Sequence, residues 1–264
     1  MSKYCIVIPY YRSNILEDEK RCISSVERFC SRVPVYWAGP EKLTPPNSKW
    51  NVVSFDSHFF ESVDSYSRLL LQPEFYQRFT DFEWILICQL DAVLLMGGTE
   101  EIIDGSFDYI GAPWFRLKDE PLAGFIGCGN GGFSFRRVEA AIRVLGAERL
   151  PGFRLALAAR RWMPDLSFVA LPKRTSKALR VIRDARRGVG WYSSHYTLNE
   201  DKFWGLRARL FDPSFRIAPV EKALEFSFEC FPRYCYELNG RRLPFGCHAW
   251  AKHDREFWEQ FIDL

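Results

Sequence analysis

Asp91 is the residue whose surroundings most clearly point to chemistry, because it interrupts a long run of apolar side chains. Residues 83–95 read Glu-Trp-Ile-Leu-Ile-Cys-Gln-Leu-Asp-Ala-Val-Leu-Leu, which predicts a central parallel strand covered on both faces. A carboxylate inside such a strand is costly unless it has a partner. Asp91 therefore either caps a turn where the strand leaves the sheet, or binds a divalent cation at the carboxyl end of the strand, where open α/β sheets place their ligands.

Three further stretches carry residue types that suit chemistry. Residues 127–132 contain four glycines in six positions, which fit either the close approach of a ligand to the backbone or an ordinary hairpin turn. Glu200 and Asp201 follow Asn199 at the start of a predicted helix. They offer a general base, or they complement the helix dipole behind an Asn cap. His248, in an apolar segment near the end of the chain, is either a ligand or a packed core histidine.

The elements that must position these residues alternate between strands and helices. Apolar runs predict strands at 4–9, 33–38 and 52–55, and helical spacing predicts helices at 15–32 and 62–80. This alternation indicates a parallel sheet in an α/β domain. No G-x-G-x-x-G follows the first strand and there is no Walker lysine loop, so those two modes of nucleotide binding are excluded.

The second half of the chain predicts shorter elements. Its patterns indicate helices at 100–104, 138–145 and 254–262, a strand at 108–112, and strand or loop pieces at 217–218 and 223–231.

Composition fits a folded globular protein of the reducing cytosol. Of the 264 residues, 47% are hydrophobic and 16% aromatic, enough for a substantial core. The eight cysteines form no C-x-x-C pair and are expected to be small core residues. The first residues lead directly into a strand without the pattern of a signal peptide, and no apolar run has the length of a membrane span. We therefore expect a cytoplasmic protein.

Residues 149–190 form a basic stretch in an otherwise slightly acidic chain. They hold eleven Lys and Arg residues against two Asp, whereas the whole chain has a net charge of +3. Basic side chains interleaved with Trp, Phe and Leu suit an anionic membrane surface, which would hold the protein at the cytoplasmic face of the inner membrane. Nucleic-acid binding is a second interpretation, but no nucleic-acid module is recognisable, and we expect no nucleic-acid partner. A solvated helical hairpin with basic outer faces is the third.

In their order along the chain, these features resemble the GT-A class of nucleotide-sugar glycosyltransferases. That class carries an acidic metal motif after a central strand, a glycine-rich acceptor loop, a Glu-Asp pair that opens a helix, and a C-terminal histidine. The strings QLDA, DYIGAPW, GNGGFS, ED-x-FW and LPFGCHAW more closely resemble a family of bacterial and fungal proteins that is catalogued as a domain of unknown function and regarded as glycosyltransferase-like. The resemblance spans Ile6 to Trp258 and is weakest over 149–190.

The resemblance implies a metal site and a catalytic base. Asp91 matches the last acid of the D-x-D motif, and His248 matches the C-terminal ligand of Mn²⁺ or Mg²⁺, which acts as a Lewis acid on the leaving diphosphate. Gln89 stands where the class has its first acid, which leaves a sparse ligand shell and puts metal dependence in question. Asp201 would be the general base of an inverting transfer, and Glu200 would bind the acceptor hydroxyl.

The resemblance also implies where donor and acceptor bind. Tyr10 or Tyr11 would stack on the nucleobase, unless both are surface packing, and Arg12 would contact a phosphate. Trp114 and Phe133 would be platforms for the sugar rings of the acceptor. The full expected donor site is Pro9, Tyr10, Tyr11, Arg12, Gly39, Glu41, Arg68, Gln89, Leu90 and Asp91, with residues 59–68 opposite, and the expected acceptor site is Trp114, Asn130, Gly131, Gly132 and Phe133.

Together these observations predict one α/β domain over residues 1–264, with a GT-A-like (Rossmann-like), mostly parallel central sheet flanked by helices. Residues 4–95 would be the nucleotide-binding half and 96–264 the acceptor-binding half, with a basic helical insertion at 149–190. The expected function is transfer of a sugar from a nucleotide sugar, preferably a UDP-sugar, to a glycan or lipid-linked glycan of a surface polysaccharide such as O-antigen, capsule or lipopolysaccharide. The alternatives are a retaining transferase, a non-catalytic sugar- or lipid-binding module, and a nucleotidyltransferase.

Overall fold

A computed structural model describes residues 2–99, 102–147, 180–181 and 183–262. Its strands are β1 (Tyr4–Pro9), β2 (Val35–Pro40), β3 (Asn51–Phe55), β4 (Trp84–Cys88), β5 (Val93–Leu94), β6 (Tyr109–Ile110), β7 (Pro113–Leu117), β8 (Glu120–Cys128), β9 (Phe133–Arg137), β10 (Ser227–Phe228) and β11 (Gly246–Cys247). Its helices are α1 (Glu17–Phe29), α2 (Val63–Leu69), α3 (Pro73–Gln77), α4 (Val138–Leu145), α5 (Val189–Ser194), α6 (Glu200–Leu206), α7 (Ala208–Phe211), α8 (Val220–Phe226), α9 (Pro232–Leu238) and α10 (Arg255–Trp258), and Ser57–Phe60 form a 3₁₀ turn.

The main sheet has six strands in the order β3-β2-β1-β4-β9-β6. The first four of these are parallel neighbours, and β9 runs antiparallel to both β4 and β6. The parallel part is built from the first half of the chain, where the sequence alternates between strands and helices. The expected α/β architecture, a central sheet flanked by helices, is confirmed.

Strands β1 and β4 are buried on both faces, which explains their nearly continuous apolar sequences. On one face, Ile6 and Leu86 pack in a cluster with Val26 of α1. On the other face, Val7 and Ile87 pack in a cluster that includes side chains of α3 and α4. Because successive side chains of a strand point to opposite faces, neither face of these strands tolerates polar residues.

The central strand is shorter than predicted, because β4 ends at Cys88. The backbone N–H of Gln89 then donates a 2.7 Å hydrogen bond to the carbonyl oxygen of Gly132. The carbonyl oxygen of Gln89 in turn accepts a 2.9 Å hydrogen bond from the backbone N–H of Ala92, which closes a turn that carries Asp91 outward. The chain next enters β5, which belongs to a different, three-stranded sheet in the order β10-β11-β5. The apolar run is long because two strands of different sheets follow one another.

The glycine-rich segment is not a hairpin turn between neighbouring strands. β8 pairs with β7 in a two-stranded sheet, whereas β9 pairs with β4 and β6 in the main sheet. Residues 129–132 therefore carry the chain from one sheet to another. They pass the carboxyl end of β4, where the turn with Asp91 begins.

Other predicted elements differ in type or extent. The predicted helix at 62–80 is two helices, since Pro73 begins α3 and a proline favours the first turn of a new helix. Residues 223–231 were expected to be strand or loop, but α8 occupies much of this range and β10 follows it. Residues 102–104 form a turn, and α10 is shorter than the tail helix expected at 254–262.

Most of the predicted basic insertion, residues 149–179 and 182, lies outside the described residues. Its helices and its membrane contact therefore stay predictions, as does the division of the chain into donor and acceptor halves. In the described part of the chain, no helix combines the length and apolar character that crossing a membrane requires.

Candidate functional site

The small three-stranded sheet brings Asp91, Glu229 and His248 together. β10 and β11 are parallel, with Phe228 beside Cys247, so the residues that follow them, Glu229 and His248, emerge side by side. β5 is antiparallel to β11, so Asp91, which precedes β5, reaches the same end of this sheet. We call Gln89, Asp91, Asn130, Glu229 and His248 the histidine cluster.

His248 lies between two carboxylates. Its Nε2 is 3.3 Å from Oδ1 of Asp91, and its Nδ1 is 3.0 Å from Oε1 of Glu229. Burial disfavours the charged imidazole, but the two carboxylates outweigh burial and raise the pKa of His248 to about 10. Burial also raises the pKa of Asp91, but the hydrogen bond and charge of His248 outweigh it and hold that pKa below its usual value. His248 thus compensates the burial of the Asp91 carboxylate.

Asn130 holds the glycine-rich loop against His248. Its Oδ1 accepts hydrogen bonds from the backbone N–H groups of Gly132 (2.7 Å) and Phe133 (2.8 Å), and its Nδ2 lies 3.2 Å from His248 Nδ1. Asn130 is only 2% exposed, which corrects the expectation that it binds the acceptor: it supports the loop from inside. A Cβ at Gly132 would overlap the His248 ring and the Gln89 side chain, so glycine is required there.

Three protein atoms converge on the side of His248 that faces Asp91. Gln89 Oε1 is 3.4 Å and Asp91 Oδ1 is 3.3 Å from His248 Nε2. Neighbouring ligands of an octahedral Mg²⁺ are about 3 Å apart, given bond lengths of about 2.0–2.1 Å. Two oxygens and an imidazole nitrogen are also ligand types that Mn²⁺ accepts. The three atoms fit a divalent cation.

This ligand set is incomplete on its own. Within residues 2–99, 102–147 and 183–262, no three His, Cys, Asp or Glu side chains are grouped so as to hold a metal ion. Only Asp91 and His248 are of these types on the Nε2 side, and Gln89 adds an amide oxygen. The remaining positions around a cation would have to be filled by oxygens of a bound ligand and by water.

A cavity of about 490 Å³ opens beside the histidine cluster. It lies at the carboxyl ends of β1 and β4, and residues 60–63 and Tyr66 line another part of its wall. The expected donor residues that line it are Pro9, Tyr10, Tyr11, Gln89, Leu90 and Asp91.

Several of the expected donor residues are placed less favourably. Tyr10 is 1% exposed and its ring fills the space above Gly39, which corrects the expectation that Tyr10 stacks on a base and that Gly39 contacts a ligand. Glu41 is exposed, Arg68 is half-buried on α2, and neither is among the residues that line the cavity. Tyr11, by contrast, is 66% exposed and lines the cavity, so its ring is available for stacking.

The charged residues around this cavity are acidic. Glu19, Glu61 and Asp91 line it, and no Lys or Arg of the described residues does. Arg12, expected to contact a phosphate, instead pairs with Glu19 at 2.5 Å. Glu19 is compensated by Arg12 and Asp91 by His248, but the described residues that line the cavity include no Lys or Arg to bind a diphosphate, which favours a cation between it and the wall.

Glu200 is buried, not open to an acceptor. It is 2% exposed, and its Oε1 accepts a 3.0 Å hydrogen bond from Arg136 Nη2. Burial raises the pKa of Glu200 to about 7, although Arg136 acts in the opposite direction. Its Oε2 has no hydrogen-bond partner among the described residues. The expected role of Glu200 as a ligand of the acceptor hydroxyl is therefore corrected: it anchors the first turn of α6 to β9.

Asp201, the next residue, is only partly buried. Its Oδ1 accepts a 2.7 Å hydrogen bond from the backbone N–H of Lys202. Burial and the negative charge of Glu229 raise the pKa of Asp201, and Asp201 is not among the residues that line the cavity. Asn199 occupies the N-cap position of α6, but its side chain makes no capping hydrogen bond.

The two aromatic residues of the expected acceptor site differ from each other. Phe133 is fully buried and stacks on Phe226, with the ring centroids 5.1 Å apart, so the expectation that it is a sugar platform is wrong. Trp114 is half-buried. A Cβ at Gly129 or at Gly205 would overlap its ring, which therefore lies between the glycine-rich loop and α6.

Two residues of the site were missed by sequence reasoning. Glu229 contacts His248, and Arg136 anchors Glu200. The only local signal for either is a charged residue in or just after an apolar run, as in Phe133-Ser134-Phe135-Arg136. Such a charge requires a buried partner, but its partner is distant in sequence.

A family model described as "Protein of unknown function (DUF5672)" matches residues 49–248. A search of curated proteins found no match. Among solved structures, the apo-form glycosyltransferase GlyE of Streptococcus pneumoniae is 12% identical at a TM-score of 0.46, over 100% of this chain and 61% of that one. A glycosyltransferase involved in the glycosylation of the major capsid of PBCV-1 is 12% identical at 0.46, over 98% and 100%. Mouse xyloside xylosyltransferase 1 is 14% identical at 0.48, over 93% and 97%.

The chain thus spans 61% of the length of GlyE. Likeness this distant leaves donor, acceptor and mechanism open for this chain.

Proposed function

The chain belongs to the family described as "Protein of unknown function (DUF5672)", and we propose that it is a glycosyltransferase that uses a nucleotide-sugar donor. The proposal rests on one observation above all: Asp91 and His248 are in contact at the edge of a cavity of about 490 Å³. Pockets of this size suit small-molecule ligands. The mixture of an exposed aromatic ring, Tyr11, and acidic side chains in the wall suits a base and a cation-bound diphosphate.

We propose that Asp91, His248 and Gln89 hold a divalent cation, Mn²⁺ or Mg²⁺, together with the donor diphosphate. Bound there, the cation would supply Lewis-acid stabilisation of the charge that develops on the leaving diphosphate. The acidic wall of the cavity supports this, since its carboxylates are poor partners for a bare diphosphate. Tyr11 would stack on the base, and a UDP-sugar is our preferred donor.

Asp201 is the proposed general base of an inverting transfer. A carboxylate must accept the proton of the acceptor hydroxyl as the new bond forms. Burial and Glu229 raise the pKa of Asp201, which increases its basicity, and its partial exposure leaves it open to an acceptor. Retention of configuration is the alternative outcome, and NMR of the product anomer distinguishes the two.

The acceptor is proposed to be a glycan of a surface polysaccharide, free or linked to lipid. Trp114, half-buried against the glycine-rich loop, is the aromatic residue left to contact its sugar rings. Binding to an anionic membrane through residues 149–190 belongs to the same proposal and would explain the charge of that stretch.

A second candidate function is a binding module that holds a nucleotide sugar without transferring it. The specific observation in its favour is Gln89, which leaves the motif Gln89-Leu90-Asp91 with one carboxylate where the resembling class has two. Such a module would bind the same ligands but would release no nucleoside diphosphate.

Thermal unfolding with a panel of nucleoside diphosphates, with and without Mn²⁺, tests the proposed binding. A ligand present at 100 times its dissociation constant adds about 2.7 kcal/mol, which raises the Tm of a protein of this size by about 5–10 °C. We expect this shift for UDP only when Mn²⁺ is present, and we expect Asp91→Asn to abolish it. If no nucleoside diphosphate shifts the Tm under either condition, the proposal is wrong.

A further inference from the structure

Glu229 is placed beside His248 by the backbone of the small sheet. β10 and β11 pair through Ser227 with Gly246 and Phe228 with Cys247. Directly after this pairing, His248 N donates to Phe228 O at 3.2 Å. The side chains of Glu229 and His248 therefore start from neighbouring positions, directly after two paired strands.

The contact with Glu229 engages one ring nitrogen of His248, Nδ1, and leaves the other on the side of Asp91. Glu229 Oε1 is 3.0 Å from Nδ1, while Nε2 faces Asp91 at 3.3 Å and Gln89 at 3.4 Å. The Glu229 side chain is 25% exposed and that of His248 is 13% exposed, so the hydrogen bond is largely shielded from water. Nδ1 and Nε2 lie on opposite sides of the ring, so Glu229 faces away from the atoms that would hold a cation.

We infer that Glu229 is a positioning residue, which accepts a hydrogen bond from Nδ1–H of His248 and so keeps Nε2 aimed at the place of the cation held with Asp91 and Gln89. Histidines that bind metals commonly donate their second ring nitrogen to a carboxylate, which fixes the tautomer and the ring orientation. This inference rests on the proposed function. It assigns Glu229 to the site without making it a ligand.

Asn130 is not a substitute for Glu229. Its Oδ1 is occupied by the N–H groups of Gly132 and Phe133, so the group it turns to Nδ1, at 3.2 Å, is its amide nitrogen. An amide nitrogen donates and cannot accept the Nδ1 proton. Glu229 is the acceptor in contact with that nitrogen.

Titration of the full chain with Mn²⁺, first without and then with UDP, tests the inference. Electron paramagnetic resonance measures the free Mn²⁺ in each titration. Loss of such a partner typically weakens metal binding 10–100-fold. We expect that loss in Glu229→Ala and a smaller one in Glu229→Gln, whose amide oxygen still accepts the hydrogen bond. Glu237→Gln is the matched control, because Glu237 pairs with Arg241 on an exposed face of α9 and should bind Mn²⁺ as the wild type does.

The ¹⁵N spectrum of the imidazoles gives a readout that a purely structural role would not move. With Mg²⁺ and UDP bound, Nε2 of His248 binds the cation and the ring proton lies on Nδ1, so we expect the ¹⁵N resonance of Nδ1 to shift in Glu229→Ala, where no carboxylate accepts that proton. The His248 signals are identified by their loss in His248→Asn, and circular dichroism confirms that the variants are folded.

Two results overturn the inference while leaving the proposed function intact. Wild-type Mn²⁺ affinity and a wild-type Nδ1 resonance in both Glu229 variants would show that the contact does not position His248. Complete loss of Mn²⁺ binding in both, as in Asp91→Ala, would make Glu229 a ligand. If the wild type itself binds neither Mn²⁺ nor UDP, the proposed function fails and the inference fails with it.

Discussion

At the scale of single residues, the site depends on charged side chains that are held inside the protein. Arg136 and Glu200 are 1% and 2% exposed and form an ion pair of 3.0 Å, while Tyr76 accepts a further hydrogen bond from Arg136. Burying two charges costs several kcal/mol for each, and removal of one partner leaves the other uncompensated. The pair therefore constrains the start of α6, and with it the position of Asp201.

Replacement of Glu200 by alanine should destabilise the protein by about 3–5 kcal/mol, because it leaves the buried Arg136 without its partner. Urea unfolding measures this, at pH 8, above the pKa of about 7 to which burial raises Glu200. Glu237→Ala is the control, since its ion pair with Arg241 is exposed and such pairs contribute about 1 kcal/mol or less. Equal effects of the two substitutions would contradict the anchoring role of Glu200.

At the scale of elements, the site is assembled where two sheets end. β4 and β9 of the main sheet deliver Gln89 and the glycine-rich loop, and the small sheet of β10, β11 and β5 delivers Glu229, His248 and Asp91. The side chain of Asn130, in the glycine-rich loop, joins the two sets, since its Nδ2 lies 3.2 Å from His248 Nδ1. There is no room for a side chain at Gly132, because its Cβ would overlap the side chains of His248 and Gln89.

Gly132→Ala should therefore weaken Mn²⁺-dependent UDP binding by about tenfold or more, a loss like that of a displaced metal-site support. Calorimetric titration measures the affinity. The control is Gly190→Ala in α5, where an added Cβ meets no atom of the described residues within 4 Å and alanine favours the helix. Unchanged binding in Gly132→Ala would show that the ring of His248 does not need its observed position.

At the scale of the whole molecule, the helices and strands that depend on the local spacing of apolar residues could be predicted from the sequence. The contacts between segments that are distant in sequence could not. Helix α4 and strand β1 follow from the spacing of their own apolar residues. The end of β4 at Cys88 could not be foreseen, since it depends on β5 pairing with β11, far along the chain. Phe133 and Tyr10 looked like ligand platforms because an aromatic residue near a motif is compatible with either packing or binding, and only tertiary contacts decide between them.

The same reason explains which parts of the site were found from sequence. Asp91 and His248 belong to motifs with a recognisable order. Glu229 and Arg136 acquire their roles only through partners brought close by the fold. Long-range partners of a buried charge are not encoded in its neighbours along the chain.

The most direct test of the central claim is the release of nucleoside diphosphate from a panel of nucleotide sugars in the presence of Mn²⁺. We expect the wild type to release UDP from a UDP-sugar, Asp91→Asn to reduce the rate at least 100-fold while remaining folded, and Glu237→Gln, on the exposed face of α9, to match the wild type. Loss of this size corresponds to about 2.7 kcal/mol of transition-state stabilisation. Release that is absent in the wild type for every donor, or unchanged in Asp91→Asn, would contradict the account.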